Sequence, residues 1–144
     1  LALWAPPIRR LTHSETPRWC AFIGPPFELF APAWQHEGAR LDRLLVVEAQ
    51  PRESLWALEQ CLLSGVCALG IAWPQAAGMT ELRRLALAAE RGASLGVLIR
   101  PLRVAREPTA ATLRLALTRT ATHLRLDLLK GRGVVPRVVE LALP

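Results

Sequence analysis

Arg43–Trp73 reads RLLVVEAQPRESLWALEQCLLSGVCALGIAW, and this stretch decides the fold. Its two ends, Arg43–Glu48 and Val66–Trp73, are short apolar runs with the Val, Ile and Leu content of strands buried on both faces. Between them, Pro51–Ser64 places Leu55, Leu58 and Leu62 on one helical face. Pro51 suits a first turn and Gly65 a stop. Strand, helix and strand within about thirty residues predict a βαβ unit. Its two strands are parallel, because the crossover helix carries the chain back to the end where it began.

The same pattern continues outward. Trp19–Ile23 (WCAFI) is another buried strand, ended by Gly24-Pro25-Pro26. A short helix over Pro32–Glu37, stopped by Gly38, links it to the quoted stretch. Further upstream, Leu1, Trp4, Ile8 and Leu11 mark one helix face, and Pro6-Pro7 place the start of a regular helix at or after them. Downstream, Pro74–Met79 is a loop, and Thr80–Arg91 is a helix capped by Thr80 and stopped by Gly92. Leu95–Ile99 is a fourth buried strand.

The period then changes. Thr112–Leu117 (TLRLAL) and His123–Leu128 (HLRLDL) alternate apolar and polar residues, as half-buried strands do. A turn lies near Thr118–Thr122 and a second at Lys130–Gly133, and Val134–Leu143 completes a meander, with Pro136 marking an edge. The expected class is therefore α/β. A mostly parallel sheet flanked by helices (1–101) is extended by a C-terminal antiparallel β-meander (102–144), in one domain spanning 1–144. Pro101–Ala111, rich in Arg, Pro and Ala, is the one flexible connection expected.

Composition narrows the function. The chain has 144 residues, half of them hydrophobic, enough for one core. No apolar run reaches the ~18 residues of a membrane span, and Leu1–Leu11 is too interrupted for a signal peptide. The chain opens on Leu rather than Met, which suggests a trimmed or partial sequence. Cys20, Cys61 and Cys67 lack metal-site spacing and form an odd set, so a reducing cytoplasm is expected. Residues 1–72 carry six Arg against seven acids, while residues 73–144 carry eleven Arg and one Lys against five. The whole cationic excess lies in the second half, where it suits nucleic-acid phosphate or an acidic partner, or forms a solvated face. The candidate contacts are Arg100, Arg103 and Arg106 on the connection and Arg119, Lys130, Arg132 and Arg137 on or near the turns. Arg114 and Arg125 alternate away from the leucines and are expected to join them in a cationic strip.

Signals for catalysis are missing. His13, His36 and His123 have no ligand-like spacing, so no metal or cofactor is expected. No Gly-x-Ser-x-Gly elbow occurs. A P-loop needs a lysine followed by Ser or Thr, whereas Lys130, the only lysine, is followed by Gly131. The third buried strand ends in Trp73 rather than in an acid that could hold Mg²⁺. Trp73 is expected to fill or cover the crevice at the carboxyl edge of the sheet, where open α/β sheets bind ligands. Trp34, on its short helix, and Trp56, beside the apolar helix face, are candidate interface anchors.

Trp19–Glu48, WCAFIGPPFELFAPAWQHEGARLDRLLVVE, resembles the RecA core from its second strand through the next helix and strand. Six segments resemble the ImuA family more closely: GPPFELFAPAWQ (Gly24–Gln35), PRESLWALEQCLLSGVC (Pro51–Cys67), IAWPQ (Ile71–Gln75), ELRRLALAAERGASLGVLIRPL (Glu81–Leu102), PTAATLRLAL (Pro108–Leu117) and LLKGRG (Leu128–Gly133). ImuA proteins are SulA/RecA-like factors of bacterial translesion DNA synthesis. The family's degenerate P-loop region corresponds to sequence before Leu1. The resemblance implies a non-catalytic accessory protein acting in the SOS response with ImuB, a polymerase-like adaptor, and an error-prone DNA polymerase, with RecA and DNA as further partners. SulA, a cell-division inhibitor that binds FtsZ, shares the middle of the pattern but stops soon after the position of Arg100-Pro101. A SulA-like inhibitor is therefore the alternative reading, and a residual nucleotide-binding ATPase a third.

Overall fold

The computed structural model describes residues 2–133 and 137–142. The chain divides into two compact units, Leu1–Arg100 and Pro101–Pro144.

The first unit is built on four parallel strands, β1 (Trp19–Ile23), β2 (Leu44–Val47), β3 (Cys67–Ala72) and β4 (Leu95–Leu98), in the spatial order β2-β1-β3-β4. Side chains alternate between the two faces of a strand, so each face has its own core. Cys20 and Phe22 of β1 and Leu69 and Ile71 of β3 pack with Ala5 and Ile8 of α1 (Ala5–Thr12) and Trp34 of α2 (Ala31–His36). On the other face, Ala21, Ile23 and Ala72 meet Leu58 and Leu62 of α3 (Ser54–Leu63) and Leu85 and Ala88 of α4 (Met79–Arg91). The result is a three-layer helix–sheet–helix sandwich, the arrangement expected when both faces of a parallel sheet are apolar.

Two glycines set how closely α3 approaches the sheet. Gly70 of β3 pairs in register with Gly96 of β4. A Cβ at Gly70 would lie 2.5 Å from Leu58 Cδ1, and one at Gly96 would lie 2.9 Å from Leu62 Cδ1. The missing side chains form the seat into which the two leucines drop, and both leucines are fully buried.

The helix ends differ from expectation: α1 starts at Ala5, before Pro6-Pro7, and α2 runs one residue earlier than Pro32–Glu37 at each end. α3 begins at Ser54 rather than Pro51, because Glu53 and Ser54 both donate their N–H to Gln50 O and the chain first makes a turn. α4 is capped from Gly78 rather than Thr80: the Glu81 carboxylate returns to accept the Gly78 N–H at 2.6 Å. α1 starts at Ala5, with its prolines in the first turn, where their missing N–H groups have no helical partner to lose.

A single side chain ties the amino edge of the sheet together. Arg18, one residue before β1, donates to Ala93 O at 2.8 Å, Gly92 O at 2.8 Å and Cys67 O at 2.7 Å. It thereby joins the start of β1, the start of β3 and the end of α4.

The second unit is a three-stranded antiparallel sheet, β5 (Arg114–Arg119), β6 (His123–Lys130) and β7 (Val138–Ala142), in that order. The expected extension of the parallel sheet is corrected here: β5 pairs with β6 and the three strands form a sheet of their own. Pro101 and Pro108 lack the N–H that a continuing ladder would need, and Leu102–Val104 winds into a 3₁₀ turn instead. The opening of the expected third strand, with Pro136, lies outside the described residues.

The α3–α4 seam offers a direct test. A Cβ at Gly92 would fall 1.7 Å from Leu62 O, a backbone atom with little room to move. Gly92→Ala is expected to cost about 2–3 kcal/mol through forced overpacking, read as a shift of the urea midpoint. Gly65→Ala meets nothing within 4 Å and carries only the strain of φ +72°, so its cost should be about 1 kcal/mol.

Candidate functional site

In the first unit the order β2-β1-β3-β4 fixes where a ligand would be sought. From β1 the chain moves to β2 on one side, then crosses to β3 on the other. The switch point is therefore the pair of carboxyl ends of β1 and β3. Gly24 follows β1 and Trp73 follows β3. Trp73 is half-buried against the α1/α2-side core, and Phe27 meets it edge to face, ring centroids 5.7 Å apart and planes at 83°. Two aromatic rings thus stand at the position where a nucleotide phosphate binds in open α/β sheets. Phe27 was not singled out from sequence, although its place just after a strand-ending Gly-Pro-Pro is the signal that marks it.

Next to the switch point, at the ends of β1 and β2, is a cavity of about 840 Å³. Its lining includes Phe27, Val46 and three carboxylates, Glu28, Glu48 and Glu53, with no lysine or arginine. Trp73 does not line it. A cavity with that charge repels phosphate.

The cysteines form one polar contact within the core. Cys61, in the last turn of α3, and Cys67, the first residue of β3, share a thiol hydrogen bond. That bond draws Cys67 down to about 6, helped by the Ser64 hydroxyl and Arg18 and opposed by burial. The same bond pushes Cys61 upward. Burial raises Cys20 to about 11. Cys67 is 3% exposed. A side chain so enclosed packs the core. Among the described residues no group of three His, Cys, Asp or Glu could hold a metal ion.

The candidate anchors separate. Trp56 is 62% exposed on α3, near Leu63 at 41%. Trp34 is 7% exposed, which corrects its reading as an interface anchor. Its ring packs on Phe22 at a centroid distance of 5.4 Å, because the face of α2 that carries it turns toward the sheet.

The cationic residues of the second unit also separate, and the expected strip is corrected in part. Arg114 donates to Ala105 O and Glu107 O, and Lys130 donates to Thr109 O at 3.0 Å. Both pin the 101–111 connection beside the sheet. Arg125 is held by Asp127, which accepts at 3.1 Å from both Nε and a terminal nitrogen, and it stands opposite Glu140 in the cross-strand register. The polar face is thus partly neutralised. Arg103, Arg106, Arg119, Arg132 and Arg137 are exposed, and their side chains make no hydrogen bond or ion pair among the described residues. Arg100 is half-buried at the end of the first unit.

The class these observations define is an α/β protein with a helix-covered four-stranded parallel sheet. No family model matches the chain, and no curated protein matches it. Among solved structures it is similar to SulA from Pseudomonas aeruginosa, with TM-score 0.59 and 25% identity over 69% of this chain and 84% of that one. This chain therefore has a SulA-like fold.

The aromatic pair can be measured. In a double-mutant cycle of Phe27→Ala and Trp73→Ala, the coupling energy is expected to be about 1 kcal/mol by urea unfolding. Additive single losses would show that the two rings do not support each other.

Proposed function

We propose that this chain is a non-catalytic, partner-binding factor of the SOS response, with the role that its ImuA resemblance implies: an adaptor for an ImuB-like protein and an error-prone polymerase in translesion synthesis. The observation that carries this reading is the second unit. A SulA-like chain accounts for 69% of the sequence. The second unit holds a separate sheet, and five exposed arginines on or near it have side chains without a partner among the described residues. Such a surface suits an acidic protein or nucleic-acid phosphate. The aromatic pair at the switch point and the carboxylates beside it support a function without nucleotide turnover.

The alternative, a SulA-like inhibitor that binds FtsZ, draws its support from the fold of the first unit. Co-purification from DNA-damaged cells separates the two: recovery of an ImuB-like protein supports the adaptor, and recovery of FtsZ instead replaces it with the inhibitor. The purified chain is expected to show no ATP hydrolysis above a buffer blank; turnover that survives repurification refutes a non-catalytic role. Reversing Arg103, Arg106 and Arg132 to Glu should weaken partner or DNA binding at least about tenfold without unfolding the chain. If DNA is the ligand, log affinity of the unmodified protein should fall with log salt at about −0.9 per phosphate contacted.

A further inference from the structure

The second unit lacks an interior. No described residue after Arg100 is fully buried, and neither core cluster contains one. Yet one face of its sheet is almost wholly apolar. The register stacks Leu115 on Leu128, Leu117 on Leu126 and Val139, and Leu124 on Leu141. The outer members stay open to solvent: Leu115 at 37%, Leu117 at 44%, Val139 at 39% and Leu141 at 42%. Arg119 pairs with Leu124 and so closes one end of this face with a cation. A three-stranded sheet whose apolar face is only half-buried is short of the packing that stabilises such sheets.

Size and charge identify what fits. Three strands spaced about 4.8 Å apart and five residues long make a face roughly 14 Å by 17 Å. A second copy would set one strongly cationic unit against another, and the like charges disfavour it. One α-helix is about 10–12 Å wide and covers 17 Å with about eleven residues, so it spans the face alone. Residues 101–144 carry eight cations against three acids, and Asp127 is already held by Arg125. Nucleic acid does not match a face of seven aliphatic side chains.

We infer that the apolar face of the β5-β6-β7 sheet is a docking surface for one amphipathic helix of a partner protein, with leucine-type residues at i, i+3, i+4 and i+7 and acidic residues along its flanks. The inference rests on the adaptor reading and names the kind of segment the adaptor holds. The leucines enter the rows between Leu117, Leu126 and Val139, while a flanking carboxylate meets Arg119.

The probe is a labelled amphipathic peptide of about 18 residues, long enough to hold some helix in water, with glutamates flanking its leucine face. A second peptide carries lysines in place of the glutamates. Fluorescence anisotropy with the full chain should show saturable binding of the first and at least about tenfold weaker binding of the second. Leu117→Thr with Leu141→Thr keeps strand-forming residues and should weaken binding at least about tenfold with an unchanged far-UV spectrum. Should that pair disturb the sheet, Arg119→Glu serves instead: it should lower affinity for the acidic peptide and raise it for the basic one. Gln60→Ala, at an exposed position of α3, should change nothing. Equal binding of both peptides, no binding by the folded chain, or a dimer that the Leu117→Thr and Leu141→Thr variant dissolves would overturn the inference. Co-purification of an ImuB-like protein that survives this variant, alongside a negative peptide result, would remove the surface and leave the adaptor reading standing. Loss of all co-purification by the unmodified chain would remove the adaptor reading whatever the peptides do.

Discussion

Three carbonyl oxygens converge on Arg18, and the first unit depends on that convergence. Ala93, Gly92 and Cys67 lie where α4 ends and β3 begins, places where backbone acceptors have no ladder or helix partner. A guanidinium presents its donors in a fixed fork, so one side chain satisfies three acceptors and fixes their spacing. Lysine would differ: its three donors radiate from one nitrogen, whereas Arg18 spreads its bonds over two. The clamp holds the amino edge of the sheet, and the close seat of Gly92 under Leu62 O holds the α3–α4 seam above it. With that edge fixed, the carboxyl edge is free to carry unusual residues, and there the chain places aromatic rings where charged groups serve catalytic relatives of such folds.

The two sheets differ in how they satisfy their side chains. In the first unit the central strands β1 and β3 are apolar and covered on both faces, whereas the edge strands β2 and β4, expected to be buried, leave Leu45, Val46 and Leu95 exposed. In the second unit polar residues are used against one another. Arg125 and Asp127 lie two apart on one strand and hence on one face, and they neutralise each other. Arg114 and Lys130, paired across the β5–β6 ladder, reach carbonyls of the preceding connection. Charge read as free for a partner is thus partly structural, and the arginines left over lie at turns, on the connection and at the end of β5.

Much of the architecture was legible because it rests on short-range pattern. WCAFI is bounded by Gly-Pro-Pro and matches β1 in both limits, and the switch from continuous apolar runs to strict alternation marks the change of sheet type. Boundaries set by capping were harder. Thr80 is a better cap by propensity than Gly78, but a carboxylate three residues downstream outweighed it. Trp34 was misread because α2 is too short for its apolar side to show a period; only the tertiary neighbour Phe22 makes that side visible. Separation of the sheets was not legible either, since strand alternation reports which face is apolar and not which strand is the neighbour. The Arg125–Asp127 pair could have been found: two opposite charges at i and i+2 in a strand always share a face.

The contrast between a doubly covered sheet and one without a dry interior bears on what the word stability means for this protein. Cooperative unfolding arises when many contacts are lost together, and such contacts are concentrated before Arg100. A sheet held mainly by ladder hydrogen bonds and half-exposed leucines opens at lower free energy than a packed core. Two units so differently packed are expected to unfold with separate free energies, and one melting temperature then describes neither.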